Sequence, residues 1–187
     1  MSHKKEIGAA LSCIDYRLFD ATLELLKKDC HVDAFDHTIL AGASLGYNQN
    51  DYETWKQTFI DQIDLAIQLH HIKKIVVIDH EDCGAYKLFY PQAEHDPKLE
   101  RELHIKNIRK FIASMKKLYP KLQYAGYLLA LDGSAERIYR DSDKHKCKKI
   151  CGCQHNNQHQ HEHQHEHKHE HKHEHKHEHK HKCTCQH

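Results

Sequence analysis

Two short segments hold the residues best suited to chemistry: Cys13-Ile-Asp15-Tyr-Arg17 and His80-Glu-Asp-Cys83-Gly84. Together they offer two thiols and one imidazole. Zinc takes such donors in tetrahedral geometry, and three protein ligands with one open position is the catalytic arrangement. His80 and Cys83 stand three residues apart, so both can reach one ion, and Cys13 can join them from a neighbouring strand. Asp15 and Arg17 follow at two and four positions past Cys13 and form a carboxylate–guanidinium pair. Each segment alone has a plainer reading. A Cys at a strand end is commonly a small buried hydrophobe, and an exposed Asp–Arg pair contributes under ~1 kcal/mol. Two such segments, each at the expected carboxyl end of a strand, favour the metal. Asp79, Glu81 and Asp82 crowd the same turn. Relaying protons or orienting His80 is one role open to them; the expected one is to be solvated or to cluster at a helix N-terminus, where negative charge is favoured. His70-His71 and Cys30 are expected to be structural.

The surrounding elements must deliver these residues. Ile7–Cys13 reads as a buried strand ending in a functional loop, and Leu18–Lys28 as a surface helix. Phe35–Ala43 reads as a strand running into a small-residue turn. Tyr52–Ile72 carries Tyr52, Trp55, Phe59, Ile60, Ile63, Ala66 and Ile67 at three- and four-residue spacing, which predicts a helix. Lys73–Asp79 contains Ile75-Val-Val-Ile78, the continuous apolar run of a strand covered on both faces. Asp96–Tyr119 predicts a second long helix, ended by Pro120, and Tyr124–Leu131 a fourth strand. Strands alternating with helices predict an α/β domain with a mainly parallel sheet of about four strands. In such sheets sites form beyond the carboxyl ends of the strands, where Cys13, Asp15, Arg17, His80 and Cys83 fall.

Composition divides the chain of 187 residues at about residue 143. Residues 1–143 form the domain just described, with a net charge of −3, which argues against nucleic acid as a partner. Residues 144–187 hold 15 of the 23 His and 5 of the 8 Cys, and Ile150 is their only aliphatic residue. That composition cannot bury enough apolar surface to fold alone, so a low-complexity tail, disordered without metal, is expected. Its repeats approximate His-Glu-His-Lys and supply His161, His163, His165, His167, His169, His171, His173, His175, His177, His179 and His181. Cys147, Cys151 and Cys153 precede them, and Cys183 and Cys185 follow. An affinity tag would be a contiguous His run without Cys pairs. At four ligands per Zn²⁺, the tail's His and Cys permit at most about five ions, and Ni²⁺ or Cu also suit imidazole and thiolate. No apolar run approaches the ~18 residues of a membrane span. Eight Cys without a secretory pattern suggest reduced thiols and a cytoplasmic location.

The order and spacing of the two segments resemble the β-class carbonic anhydrases, whose pattern is Cys-x-Asp-x-Arg followed by His-x-x-Cys-Gly. The likeness extends over roughly residues 7–138. Ala66–Ile78 is similar to the family's helix and strand leading to the His-x-x-Cys turn, Leu40-Ala-Gly-Ala43 to its Arg-Asn-Ala-Gly segment, and Tyr124–Gly133 to its last core strand. The resemblance implies that Cys13, His80 and Cys83 hold Zn²⁺, with water in the fourth position, and that CO₂ is hydrated reversibly to bicarbonate. It implies that Asp15 orients the attacking oxygen and that Arg17 holds Asp15 ionised. It also implies a homodimer or higher homo-oligomer, to which the apolar face of Tyr52–Ile72 is a candidate contributor. The chain departs from the pattern in two places. The Arg and Asn of Arg-Asn-Ala-Gly are missing, and Asp79 stands where the family usually has Gly before the zinc His. Relatives with this scaffold hydrolyse carbonyl sulfide or carbon disulfide, which are the alternative substrates. A non-catalytic zinc or nickel store on a degenerate anhydrase scaffold is the alternative of another class.

Overall fold

The computed structural model describes residues 6–28 and 34–141. Five strands form one sheet: β1 (Ile7–Ser12), β2 (Ala34–Ile39), β3 (Lys74–His80), β4 (Gln123–Leu129) and β5 (Ala135–Arg140). Their order is β2-β1-β3-β4-β5, with the first four parallel and β5 antiparallel to β4. The helices are α1 (Phe19–Lys28), α2 (Ser44–Asn48), α3 (Glu53–His70), α4 (Gly84–Phe89) and α5 (Pro97–Leu118).

The alternation of strand and helix therefore yields the expected α/β architecture with a mostly parallel sheet. Every residue of β3 is buried, as a central strand covered on both faces requires. One core cluster joins Ala9, Leu11, Ile75 and Val77 of the sheet to Phe59, Ile63, Ile108, Phe111 and Met115 of α3 and α5. A second joins Ala10, Val76, Ile78 and Tyr127 to Leu25 and Leu26 of α1. Helix α5 starts where its caps dictate: the Asp96 carboxylate accepts from the Lys98 and Leu99 N–H groups, and Pro97 occupies the first turn. Gly126 lets α5 lie close on β4, since a Cβ there would stand 2.5 Å from Ile108 Cγ2.

Strand β2 ends at Ile39 and runs, as expected, into a small-residue turn, Leu40–Ala43, which opens α2. Gly42 and Ala43 adopt φ of +72° and +46°, which a strand cannot accommodate. Strand β5 is additional to the four expected. The apolar face of α3 is spent on the chain's own core through Phe59, Ile63 and Ala66, leaving Leu65 and Leu69 as its exposed apolar residues. That corrects its assignment as an oligomer contact. His70, at the end of α3, pairs with Asp36 at 2.8 Å, a structural role as expected. Among the described residues, no helix is long and apolar enough to cross a membrane. Cys30 and the tail ligands Cys147 to Cys185 lie outside the described residues.

Candidate metal centre

The parallel register places Ser12, the last residue of β1, beside Ile39 and Ile78. Cys13 therefore leaves the sheet next to the end of β3, where His80 stands, and Cys83 follows after one tight turn. Cys13, His80 and Cys83 each bring one ligand atom within 4.8 Å of the other two. The two Sγ atoms are 3.9 Å apart. Two sulfurs bound at ~2.3 Å to one ion at a tetrahedral angle lie about 3.8 Å apart, so the spacing fits zinc. His80 supplies a second test. Its Nδ1 donates to the Glu81 carbonyl at 2.8 Å, which fixes the tautomer and leaves the Nε2 lone pair available. That Nε2 is buried and has no hydrogen-bond partner, although His80 is only 3% exposed. A buried polar atom without a partner is costly, and a metal ion would relieve the cost.

The thiols are not equivalent. Cys13 Sγ accepts from the Gly42 N–H at 3.2 Å. Its hydrogen bond with Cys83, and then the neighbouring His80 ring, outweigh burial and draw its pKa down, while the same pairing with Cys13 and burial push Cys83 up. Gly42 is needed for this contact: its φ is positive, and a Cβ would stand 3.1 Å from Ala85 Cβ.

Asp15 and Arg17 lie alongside. Asp15 Oδ1 accepts from Arg17 Nε at 3.0 Å and Oδ2 from Arg17 Nη2 at 2.7 Å. The backbone N–H of Arg17 also donates to Oδ1 at 3.0 Å. These bonds hold the Asp15 carboxyl at a pKa of about 2. Asp15 Oδ2 is 3.8 Å from His80 Nε2. Arg17 reaches further than the sequence suggests: Nη1 donates to Asp82 Oδ2 at 2.8 Å and Nη2 to the Asp82 carbonyl at 3.0 Å. Lys87 donates to the other oxygen of Asp82. Asp82 lies just before the Cys83 N-cap of α4, as expected, and in addition bridges two cations from a left-handed backbone with φ of +55°. Glu81 is exposed as expected. A cavity of about 620 Å³ opens here, walled by Ile14, Ala41 and Ala85 and by Asp15, Arg17 and Lys87.

Asp79 is the larger correction. It is 1% exposed, not solvated. Its Oδ1 accepts from the Ser44 N–H at 3.0 Å. Its Oδ2 accepts from Ser44 Oγ at 2.6 Å, Tyr86 OH at 2.8 Å and His104 Nδ1 at 3.1 Å. His104 is fully buried and stacks on Tyr86, with ring centroids 3.6 Å apart. Burial presses its pKa down, but the hydrogen bond to Asp79 and the Glu100 carboxylate 3.8 Å from its Nε2 outweigh burial and raise it. Glu100, one turn earlier on α5, accepts from the Cys83 N–H at 3.1 Å. A signal for this was present: His104 shares the apolar stripe of Ile108, Phe111 and Met115, where a polar, titratable residue is unusual.

Residues 3–139 match the family described as "putative carbonic anhydrase". The chain belongs to that family. An uncharacterized protein of Rickettsia conorii is 38% identical over 142 residues, covering 73% of this chain and 76% of that protein. One from Rickettsia bellii is also 38% identical, covering 73% of this chain and 87% of its own. The crystal structure of a β-carbonic anhydrase from Aspergillus fumigatus is similar at 13% identity and a TM-score of 0.48, covering 78% of this chain and 82% of that one.

Proposed function

We propose that this family member is a zinc-dependent carbonic anhydrase, hydrating CO₂ reversibly to bicarbonate at Cys13, His80 and Cys83. The observation that carries the reading is the buried, unpartnered Nε2 of His80 beside two thiols 3.9 Å apart, with the Asp15–Arg17 pair at its flank. Zinc bound there would act as a Lewis acid and bring the pKa of water in its fourth position to about 7. Cys13 and Cys83 would hold the ion as thiolates, and His80 through Nε2. Asp15 stays ionised at working pH because Arg17 holds its carboxyl at about 2, so it accepts a hydrogen bond from the nucleophile and orients it. The three hydrogen bonds from Arg17 side-chain nitrogens also keep Asp15 from closing on the fourth position. Ile14, Ala41 and Ala85 give the cavity an apolar wall suited to a small linear molecule. Arg17 and Lys87 place positive charge where an anionic product forms.

The chain works as two parts in this reading, a catalytic domain over 1–143 and a metal-binding tail over 144–187. The tail's His and Cys hold several Zn²⁺, Ni²⁺ or Cu ions and buffer the supply to the core. Cys13 and Cys83 must be reduced to act as metal ligands, which is in keeping with a cytoplasmic setting. Exposed Ile14, Tyr16 and Phe19 support a homodimer or higher homo-oligomer built near the cavity. Stopped-flow CO₂ hydration on zinc-loaded protein, run beside carbonyl sulfide hydrolysis, is the decisive test. Turnover of CO₂ alone establishes the anhydrase, turnover of carbonyl sulfide alone the related hydrolase, and no turnover a metal store. Deleting 144–187 should leave zinc-replete activity unchanged and lower metal stoichiometry by several ions per chain.

A further inference from the structure

Asp79, which stands where the family usually has Gly before the His, meets Ser44, the residue that follows the segment similar to Arg-Asn-Ala-Gly, 35 positions away. Ser44 donates to both oxygens of Asp79, through its backbone N–H and its hydroxyl. Asp79 is therefore linked, through its own backbone or through a bonded neighbour, to the segments that carry each of the proposed ligands. Through its own backbone it sets the end of β3, from which His80 projects. Through Ser44 it holds the Gly42–Ser44 turn, whose Gly42 N–H donates to Cys13 Sγ. Through Tyr86 it holds the first turn of α4, directly after Cys83. His104 then anchors the carboxylate to α5, and Glu100 on the same helix face takes the Cys83 N–H.

We infer that Asp79, held by His104, is the positioning hub of the metal centre, and that Ser44, Tyr86 and Glu100 transmit its placement to Cys13 and Cys83. The inference rests on the zinc reading above. The physical logic is that of outer hydrogen bonds at metal sites: they fix the ligands in the bound geometry before the metal arrives, and their loss costs typically 10–100-fold in metal affinity. Four donors converge on Asp79 from one turn and two helices. A displaced carboxylate would let His80, Cys13 and Cys83 drift independently, and the ion would have to restore their order.

The test uses the full-length chain with free zinc fixed by a chelator buffer. Zinc that binds the folded core raises its melting temperature according to RT ln(1 + [Zn]/Kd). Ligands in the tail contribute to folded and unfolded chains alike and largely cancel. Half-saturating free zinc is read for wild type, Asp79→Asn, Ser44→Ala, His104→Phe and His104→Asn. Alkylation of Cys13 and Cys83, mapped by peptide, is read at fixed free zinc. Asp79→Asn and His104→Phe should raise half-saturating zinc about 10–100-fold, and Ser44→Ala less. His104→Asn should recover most of the loss, because its amide nitrogen donates from the place of Nδ1. Alkylation should rise in the same order. Variants that melt lower without zinc yet keep the wild-type half-saturation and alkylation would reduce Asp79 and His104 to packing and overturn the inference. Should Asp79→Asn not fold, Ser44→Ala and the His104 pair decide alone. A wild-type chain with no zinc-dependent rise would instead overturn the zinc reading, and this inference with it.

Discussion

The two ends of the sheet both bury charge, and they treat it differently. At the end away from the cavity, Lys116 donates to Asp141 and to Tyr139 OH and lies 4.6 Å over the Tyr139 ring and 5.3 Å over the Tyr124 ring. Asp141 accepts from the Tyr124 N–H at 2.8 Å and from Tyr139 OH at 3.1 Å. Each of these polar groups has a partner among the described residues. At the cavity end, by contrast, His80 Nε2 has none and two thiols stand side by side. Desolvation is costly at both ends. The Lys116 cluster recovers the cost internally and joins β4 and β5 to α5. The His80 cluster leaves it unrecovered, which is what a site awaiting a ligand looks like.

The largest effect should come from removing a proposed ligand at the open end. Cys83→Ala leaves two donors, too few for the three-ligand site. It should abolish CO₂ hydration and the zinc-dependent rise in melting temperature, while circular dichroism stays native. Tight, stabilising zinc in this variant would break the contrast, because the end with unpaired groups would then not be the metal site. Asp15→Asn comes next. It keeps the shape and removes the charge that orients the nucleophile, so half-saturating zinc should stay near wild type while kcat falls roughly 100-fold or more. Wild-type turnover in Asp15→Asn would move orientation to another group.

The closed end should respond in stability alone. Burial raises the Asp141 carboxyl, but the hydrogen bonds from Lys116 and the Tyr124 N–H outweigh it and leave its pKa lowered. A lowered folded pKa stabilises above the unfolded value of ~3.9 and loses that contribution as pH falls toward the folded value. Asp141→Asn should therefore cost about 1–3 kcal/mol at neutral pH, and the gap from wild type should shrink as pH drops below ~4. Half-saturating zinc and kcat should not move. A change in either would show that the two ends are coupled through α5 and β4.

How much of this was legible in the sequence follows the range of the interactions. The spacings of Cys13, Asp15, Arg17, His80 and Cys83 are local, and each group sits at the end of an apolar run, so the strand ends brought them to one place as the alternating pattern required. Long periodic helices such as α3 and α5 were likewise readable to within about two residues at each end. The short helices α2 and α4, of five and six residues, are below the length at which periodicity speaks. Strand β5 escaped because Ala135-Glu-Arg-Ile-Tyr-Arg140 is an edge strand, half of it exposed, and lacks a clean alternation. Asp79 was misread because a carboxylate in a charged tripeptide looks solvated until its partners at 44, 86 and 104 are known. Only the folded chain supplies those donors.

The smallest effect should come from Asp82, where the open end meets solvent. Its carboxylate joins Arg17 to Lys87, and both Arg17 and Asp82 side chains are 37% exposed. Exposed pairs contribute under ~1 kcal/mol, so Asp82→Asn should barely change the melting temperature. Arg17 would keep its bonds to Asp15 and its bond to the Asp82 carbonyl, which leaves the orienting carboxylate in place. The expected loss in kcat is therefore a few-fold, and it should narrow as salt is raised, since salt already weakens the wild-type bridge. Measuring the wild-type to Asp82→Asn kcat ratio at low and high ionic strength reads this directly. A loss as large as that of Asp15→Asn, insensitive to salt, would mean that Arg17 is held chiefly by Asp82 and that the open end depends on a built network as tight as the one around Lys116.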